Sequence, residues 1–364
     1  MRPTGSTPKT AEATQSWGRV TSMARWIARR KRTAPATPKV SVVMPVYNAD
    51  TTLAECLTRL FQSTWEDFEV VLVDDGSTDQ TRAIADNFPL RVVPTSGRVG
   101  PAAARNLGAR VADGEVVFFI DSDVMVRPDT LARLMDRYAE GDVDGLIGVQ
   151  AADMRHRDLV SQYKNLWMRW TYLRRAGNVP LFYTTAAAIR REAFLEAGGF
   201  DPGYGTPNVE DTAFGQKLAR LGIRVQVQPD LEVEHVKRYS LLSLLRTDFM
   251  RAVSLTRLKL RHRGDLGRND TSVPGGYVAS IPLTVIAVLL LAAGLVLRMP
   301  AAGVLGAFGL VGVGALNREF LDVIRRNEGL VRAAGAFPLL VTELFVAGIG
   351  SGVGLLTFPF GRRY

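Results

Sequence analysis

Two aspartates one residue apart, Asp121-Ser122-Asp123, close the apolar run EVVFFI. Carboxylates at the end of a buried strand repel each other and any diphosphate brought to them, unless a divalent cation sits between. Mg2+ or Mn2+ suits hard oxygen donors, and such ions bind through one or two carboxylates plus substrate phosphates. Two more polar clusters follow apolar runs in the same way. Tyr47-Asn48 follows VSVVMPV, and Asp74-Asp75-Gly76-Ser77 follows EVVLV. Neither GxGxxG nor GxxxxGK(S/T) occurs, so phosphates must be held by something other than a glycine cradle, and the Asp121–Asp123 pair supplies it. A third acidic pair, Glu210-Asp211, opens the helical stretch TAFGQKLARLG, where negative charge also suits a helix N-terminus.

The elements that position these groups alternate. VSVVMPVY is a continuous apolar run, as in a strand buried on both faces. Leu53, Cys56, Leu57, Leu60 and Phe61 then recur at helical spacing, which makes Cys56 core filler rather than a nucleophile. EVVLVDDGS is a second strand, and Asp79 can cap the helix after it. RVVPT and EVVFFIDSD are third and fourth strands, flanking a helix over Pro101 to Val111. This β-α-β-α-β-α-β series predicts an α/β fold with an open, mostly parallel sheet and helices on both faces. Ligands bind such sheets beyond the carboxyl ends of the strands, where the polar clusters lie.

The chain has 364 residues, a formal charge of +9 and 47% hydrophobic residues, too apolar for a disordered chain. One cysteine excludes an intramolecular disulfide framework and disfavours a cysteine-based zinc site. Met1–Pro38 is polar and basic, so no cleavable signal peptide is expected. Within it, residues 17–32 read as a short amphipathic helix, lying in a membrane interface or packed on the globular domain. The basic residues flank apolar segments, which favours anionic membrane lipids as partners. No nucleic-acid-binding signature is present. The expected organisation is a basic segment over 1–38, a catalytic domain over 39–239, an amphipathic linker over 240–270 and a membrane region over 271–364. That region holds three apolar segments, 276–297, 301–316 and 334–358. The first meets the roughly 20 residues a bilayer needs; the second is a short span or a re-entrant piece.

In their order and spacing, VSVVMPVYNAD, VVLVDDGSTDQT, GPAAARNLGAR, VVFFIDSDV, GGFDPGYG-TPNVEDTAFGQKLARLG and VEHVKRYS resemble the family 2 glycosyltransferases of GT-A fold, over about Val40 to Arg238. The resemblance implies that Pro45, Tyr47, Asn48 and Asp75 hold the nucleoside. It places Asp121, Ser122 and Asp123 at the ribose and the metal-diphosphate, with Asp211 as the base beside Glu210. His235 would complete the shell of a Mn2+ or Mg2+ ion around Asp121 and Asp123. Arg105, in the ARN segment, either reaches the donor or is structural. Arg98-Val99-Gly100 stands where the family often has Asn-x-Gly, and the Q-x-x-R-W motif of processive synthases is absent.

The implied reaction is inverting transfer of one sugar from a nucleoside-diphosphate sugar to a hydroxyl of a lipid or lipid-linked acceptor. The alternatives are transfer to polyprenyl phosphate and a non-catalytic nucleotide-sugar-binding scaffold. Between Ser240 and Arg263, Leu241, Leu245, Phe249 and Ala252 share one helical face, as in an interfacial helix. Glu343, inside an apolar stretch, requires protonation or a partner. The basic run before Gly276 puts the catalytic domain on the cytoplasmic side of a multi-pass inner-membrane protein. Oligomeric state is not fixed by the sequence.

Overall fold

The computed structural model describes residues 39–141, 143–175, 177–204, 209–261 and 271–360. The expected helix over 17–32, His262 and the 262–270 part of the linker lie outside them. Strands β1 (Val40–Val46), β2 (Phe68–Asp74), β3 (Arg91–Pro94) and β4 (Val116–Ile120) alternate with helices α1 (Leu53–Phe61), α2 (Thr81–Ala85) and α3 (Pro101–Val111). Then come β5 (Val124–Met125), α4 (Thr130–Ala139), β6 (Gly145–Gln150), α5 (Leu159–Leu173), β7 (Ala186–Arg190), α6 (Arg191–Glu196), α7 (Glu210–Arg220) and β8 (Val225–His235).

The eight strands form one sheet in the order β3-β2-β1-β4-β7-β6-β8-β5. β3, β2, β1 and β4 run parallel, as the apolar runs predict. The second half is mixed: β7 is antiparallel to both β4 and β6, and β5 is antiparallel to β8. Side-chain alternation sorts the core onto both faces. Val43, Val71, Val73 and Phe119 pack on one side, and Val42, Met44, Leu72 and Phe118 on the other. The apolar stripe of α1 is buried as its spacing requires, Cys56 included. Asp79 accepts the Thr81 N–H at 3.0 Å where α2 begins.

Four longer helices and one short one follow. They are α8 (Leu241–Arg261), α9 (Gly275–Val296), α10 (Pro300–Leu316), α11 (Arg318–Glu328) and α12 (Leu330–Thr357). α9 and α12 are long and apolar enough to cross a membrane; α10 and α11 would add a third span if that pair, bent by 68°, counts as one. α9 and α10 form an antiparallel hairpin so close that a Cβ on Gly306 would stand 2.7 Å from the Ala287 carbonyl. The outer surface of the hairpin is apolar and exposed, with Leu295 and Val296 near its turn and Phe308 and Val311 along α10. α11 returns to the catalytic domain, where Phe320 packs on Trp167 and Trp170 of α5.

The buried face of α8 differs from the expected one. Leu244, Asp248, Val253 and Leu258 are buried, whereas Leu241 is exposed. The helix turns because α12 takes it as a packing partner: a Cβ on Gly350 would meet the Phe249 carbonyl at 2.7 Å. Asp248 is drawn inward by Lys164 Nζ at 2.5 Å. Glu343 has the partners its burial demands, accepting from the Tyr163 hydroxyl with Lys164 Nζ at 3.7 Å.

Candidate active site

The site lies along the carboxyl ends of β1, β2 and β4, where backbone hydrogen bonding ends and side chains tie the loops together. After β1, Asn48 adopts a left-handed conformation (φ 50°), which short polar side chains tolerate. Its Oδ1 accepts the Thr78 N–H at 2.9 Å, and its own N–H donates to Ser77 Oγ at 3.1 Å. The first two polar clusters are thereby joined. Pro45 is half-buried within β1. Tyr47 projects outward, with the Arg98 guanidinium 4.1 Å from its ring centroid, a cation–π arrangement. Asp75 is buried and turned to backbone. It accepts from Val99 N–H and Gly100 N–H, both at 2.8 Å, and from the Thr95 hydroxyl at 3.0 Å. In this conformation it fixes the Arg98–Gly100 turn at the start of α3.

At the end of β4 the two aspartates diverge. Asp121 Oδ1 accepts from Arg105 Nη2 at 2.8 Å, and Arg105 Nη1 reaches Glu210 Oε1 at 3.3 Å. Arg105 and Glu210 are both buried to 5% side-chain exposure. A buried guanidinium between two carboxylates is tolerable because each charge meets an opposite one. Asp123 faces the other way, its Oδ2 at 3.1 Å from His235 Nε2. The β5–β8 pairing sets this contact by placing Val124 opposite His235, and the Val236 N–H donates to the Asp123 carbonyl. Gln150 Nε2 stands 3.4 Å from His235 Nδ1, so both ring nitrogens have a polar neighbour. Burial raises the Asp123 carboxyl, but the hydrogen bond and charge of His235 and the charge of Lys237 outweigh it, holding it below the usual range. Ser122, between the aspartates, is partly exposed. Beneath the turn, Cys56 Sγ lies 3.0 Å from the Val124 carbonyl.

Glu210 and Asp211 are neighbours with separate surroundings. Glu210 is sealed against Arg105, while Asp211 is partly exposed and accepts the Thr212 N–H at 2.6 Å. Asp211 lies in electrostatic range of Arg251 on α8. Burial works against the Arg251 charge, but Asp211, Tyr172, Tyr183 and Asp248 outweigh it and raise that guanidinium above its ordinary value. Arg251 was not among the residues expected from sequence; it sits in what reads as a linker, with no motif around it.

As for a metal, no group of three or more histidine, cysteine, aspartate or glutamate side chains forms a cage among the described residues. The donors present are one carboxylate and one imidazole, Asp123 and His235, with Asp121 turned to Arg105. That set fits an ion completed by substrate phosphates and water rather than a closed protein site.

Residues 41–198 match the family model "Glycosyl transferase family 2". Over 114 residues the chain is 38% identical to Glycosyltransferase GlyG of Streptococcus pneumoniae, covering 30% of this chain and 38% of that protein. Over 113 residues it is 36% identical to the uncharacterized glycosyltransferase YibD of Escherichia coli, covering 30% of this chain and 33% of that one. The aligned stretch is thus well under half the length of either relative. In three dimensions it is similar to the mannosyltransferase PcManGT from Pyrobaculum calidifontis, solved in complex with GDP-Man and Mn2+. The TM-score is 0.55 at 24% identity, over 90% of this chain and 94% of that one. On these matches, residues 41–198 are similar to the family 2 glycosyltransferases, and the chain shares the GT-A fold of its structural neighbour.

Proposed function

We propose that the protein is a membrane-attached, inverting glycosyltransferase. It transfers one sugar from a nucleoside-diphosphate sugar to a hydroxyl of a lipid or lipid-linked acceptor. The observation that carries this reading is the Arg105 bridge, which joins the Asp121 end of the donor site to the Glu210-Asp211 end of the acceptor site through one buried cation. Tyr47, Asn48 and the Asp75-anchored turn frame the nucleoside. Asp123 and His235 would hold a Mn2+ or Mg2+ ion, which when bound supplies positive charge to the leaving diphosphate. The PcManGT complex with GDP-Man and Mn2+ supports both donor and ion as classes.

Asp211 is the group left to take the acceptor proton, because Glu210 is committed to Arg105 and Asp211 is not. A hydroxyl is a weak nucleophile near neutral pH, and a positioned carboxylate removes its proton as attack begins. Attack in line with the departing diphosphate inverts the anomeric centre. Absence of the Q-x-x-R-W motif supports a single transfer rather than polymerisation. Apolar residues on α9 and α10 and the basic run before Gly276 support a domain on the cytoplasmic face of the inner membrane, beside anionic lipids.

The test is a panel of nucleotide sugars offered to the full chain in membranes, with hydrolysis and transfer to added lipid followed with and without EDTA. The reading predicts turnover of one donor class, lost in chelator and restored by Mn2+ or Mg2+. No turnover of any nucleotide sugar, with intact binding, would leave the scaffold reading instead.

A further inference from the structure

A cavity of about 320 Å3 lies between α5, α8, α9 and α12, at the lower end of small-molecule sites. Its two ends differ in chemistry. The deep end is polar, lined by Lys164, Asp248, Arg251 and Glu343; the outer end has the exposed apolar residues Val278 and Leu355, and the exposed Lys259 also lines the wall. Asp248 Oδ1 is held by Lys164, but its Oδ2, on a side chain only 7% exposed, has no hydrogen-bond donor among the described residues. A buried carboxylate oxygen without a donor has lost its water and gained nothing in return. A ligand hydroxyl would remove that cost.

The cavity also adjoins the proposed acceptor end of the active site. Arg251 lines it and lies in electrostatic range of Asp211. Tyr172, hydrogen-bonded to Ser272 of the cavity wall, feels the same aspartate. We propose that this cavity seats the acceptor lipid, with a hydroxyl-bearing headgroup on Asp248 and Arg251 beside Asp211 and its chain leaving between α8, α9 and α12. Asp248 selects the headgroup: among Lys164, Arg251, Lys259 and Glu343 around the cavity, its donorless oxygen takes a hydroxyl, which donates, and repels a phosphate oxygen, which cannot. The inference rests on the transferase reading above and names the substrate class for it.

The test uses the full chain in nanodiscs of zwitterionic lipid and a dodecyl glucoside with a photoreactive diazirine in its chain. The expected result is saturable labelling of peptides from α8, α9 and α12, competed by dodecyl glucoside and not by dodecyl phosphate. Asp248→Asn should weaken it roughly tenfold or more, the worth of a hydrogen bond to a charged group. Val278→Phe, at the exposed mouth where folding is not at stake, should abolish it. Equal competition by dodecyl phosphate would overturn the headgroup assignment. Unchanged labelling in Asp248→Asn would overturn the seating of the headgroup on Asp248. Labelling spread along the outer α9–α10 surface and indifferent to Val278→Phe would remove the site. Nucleotide-sugar hydrolysis on the same samples separates the two readings. Failed labelling with normal hydrolysis sinks the cavity alone; expected labelling without hydrolysis or transfer sinks the transferase alone.

Discussion

Arg105 Nη2 stands 2.8 Å from Asp121 Oδ1, tying the third helix of the domain to the end of its fourth strand. The same guanidinium holds Glu210, so a residue of the donor end and a residue of the acceptor end share one cation. Glu210 is thereby spent on structure, which leaves the proposed proton transfer to Asp211 beside it.

Arg105→Met should destabilise the domain by about 3–5 kcal/mol, the cost of leaving a buried charge without its partner. Arg105→Lys should recover part of that stability but not the two-pronged contact, so transfer should stay depressed. Denaturant unfolding beside transfer rate separates the two effects. Wild-type stability in Arg105→Met would show that the bridge contributes nothing.

Asp211→Asn should leave nucleotide-sugar binding intact and slow transfer by roughly 10²–10⁴-fold, the worth of a general base. The amide keeps the shape but cannot take the proton. Near-normal transfer would remove Asp211 from the chemistry and favour a phosphate acceptor, which arrives ionised.

Asp123→Ala should abolish metal-dependent turnover. His235→Ala should instead raise the Mn2+ concentration needed for half-maximal rate, because among the described residues the imidazole stands beside Asp123 as the second donor of the proposed site. A metal titration of both variants checks this; an unshifted curve for His235→Ala would exclude it as a ligand.

Asp158 caps α5, the helix that carries Lys164 and Trp167, by accepting the Ser161 N–H at 3.0 Å. Burial raises its carboxyl, but Ser161 and Arg238 outweigh burial and leave it below the ordinary value. The sign follows: a depressed folded-state pKa gives stability present above the unfolded value of about 4 and lost as pH falls through the lower folded value. Asp158→Ala should cost about 1 kcal/mol at neutral pH and less in acid, whereas Asp158→Asn should keep most of the cap. Unfolding midpoints across pH 2 to 7 (roughly the carboxylate range) would show this. A cost for Asp158→Ala that does not change with pH would contradict it.

Replacing Leu295, Val296, Phe308 and Val311 by serine should weaken membrane partition without disturbing the catalytic core, since all four are exposed on the outer surface of the α9–α10 hairpin. Sedimentation of the full chain with vesicles is the measurement. Undiminished pelleting would shift membrane attachment to other segments.

Local patterns predicted much of this. The α1 stripe, the parallel strands β1 to β4 and the polar strand ends are written in neighbouring residues, so period and burial reveal them. The rest depends on pairings across long stretches of chain. His235 meets Asp123 across 112 positions, and Arg105 meets Glu210 across 105. No local spacing encodes the antiparallel insertion of β7, and only the family resemblance pointed to His235. The α8 face was misjudged because its partners are glycines of α12, which give no apolar signal, and because a buried aspartate counts as polar until its lysine is in place.

Cys56 offers a use of its position. It is the sole thiol of the chain, fully buried, and its sulfur rests on the Val124 carbonyl immediately beyond Asp123. Burial pushes that thiol well above its ordinary pKa, so alkylating reagents can reach it only when α1 and the aspartate turn separate. The rate at which the untouched wild-type chain consumes such a reagent is therefore a built-in clock for the breathing of the donor-site floor.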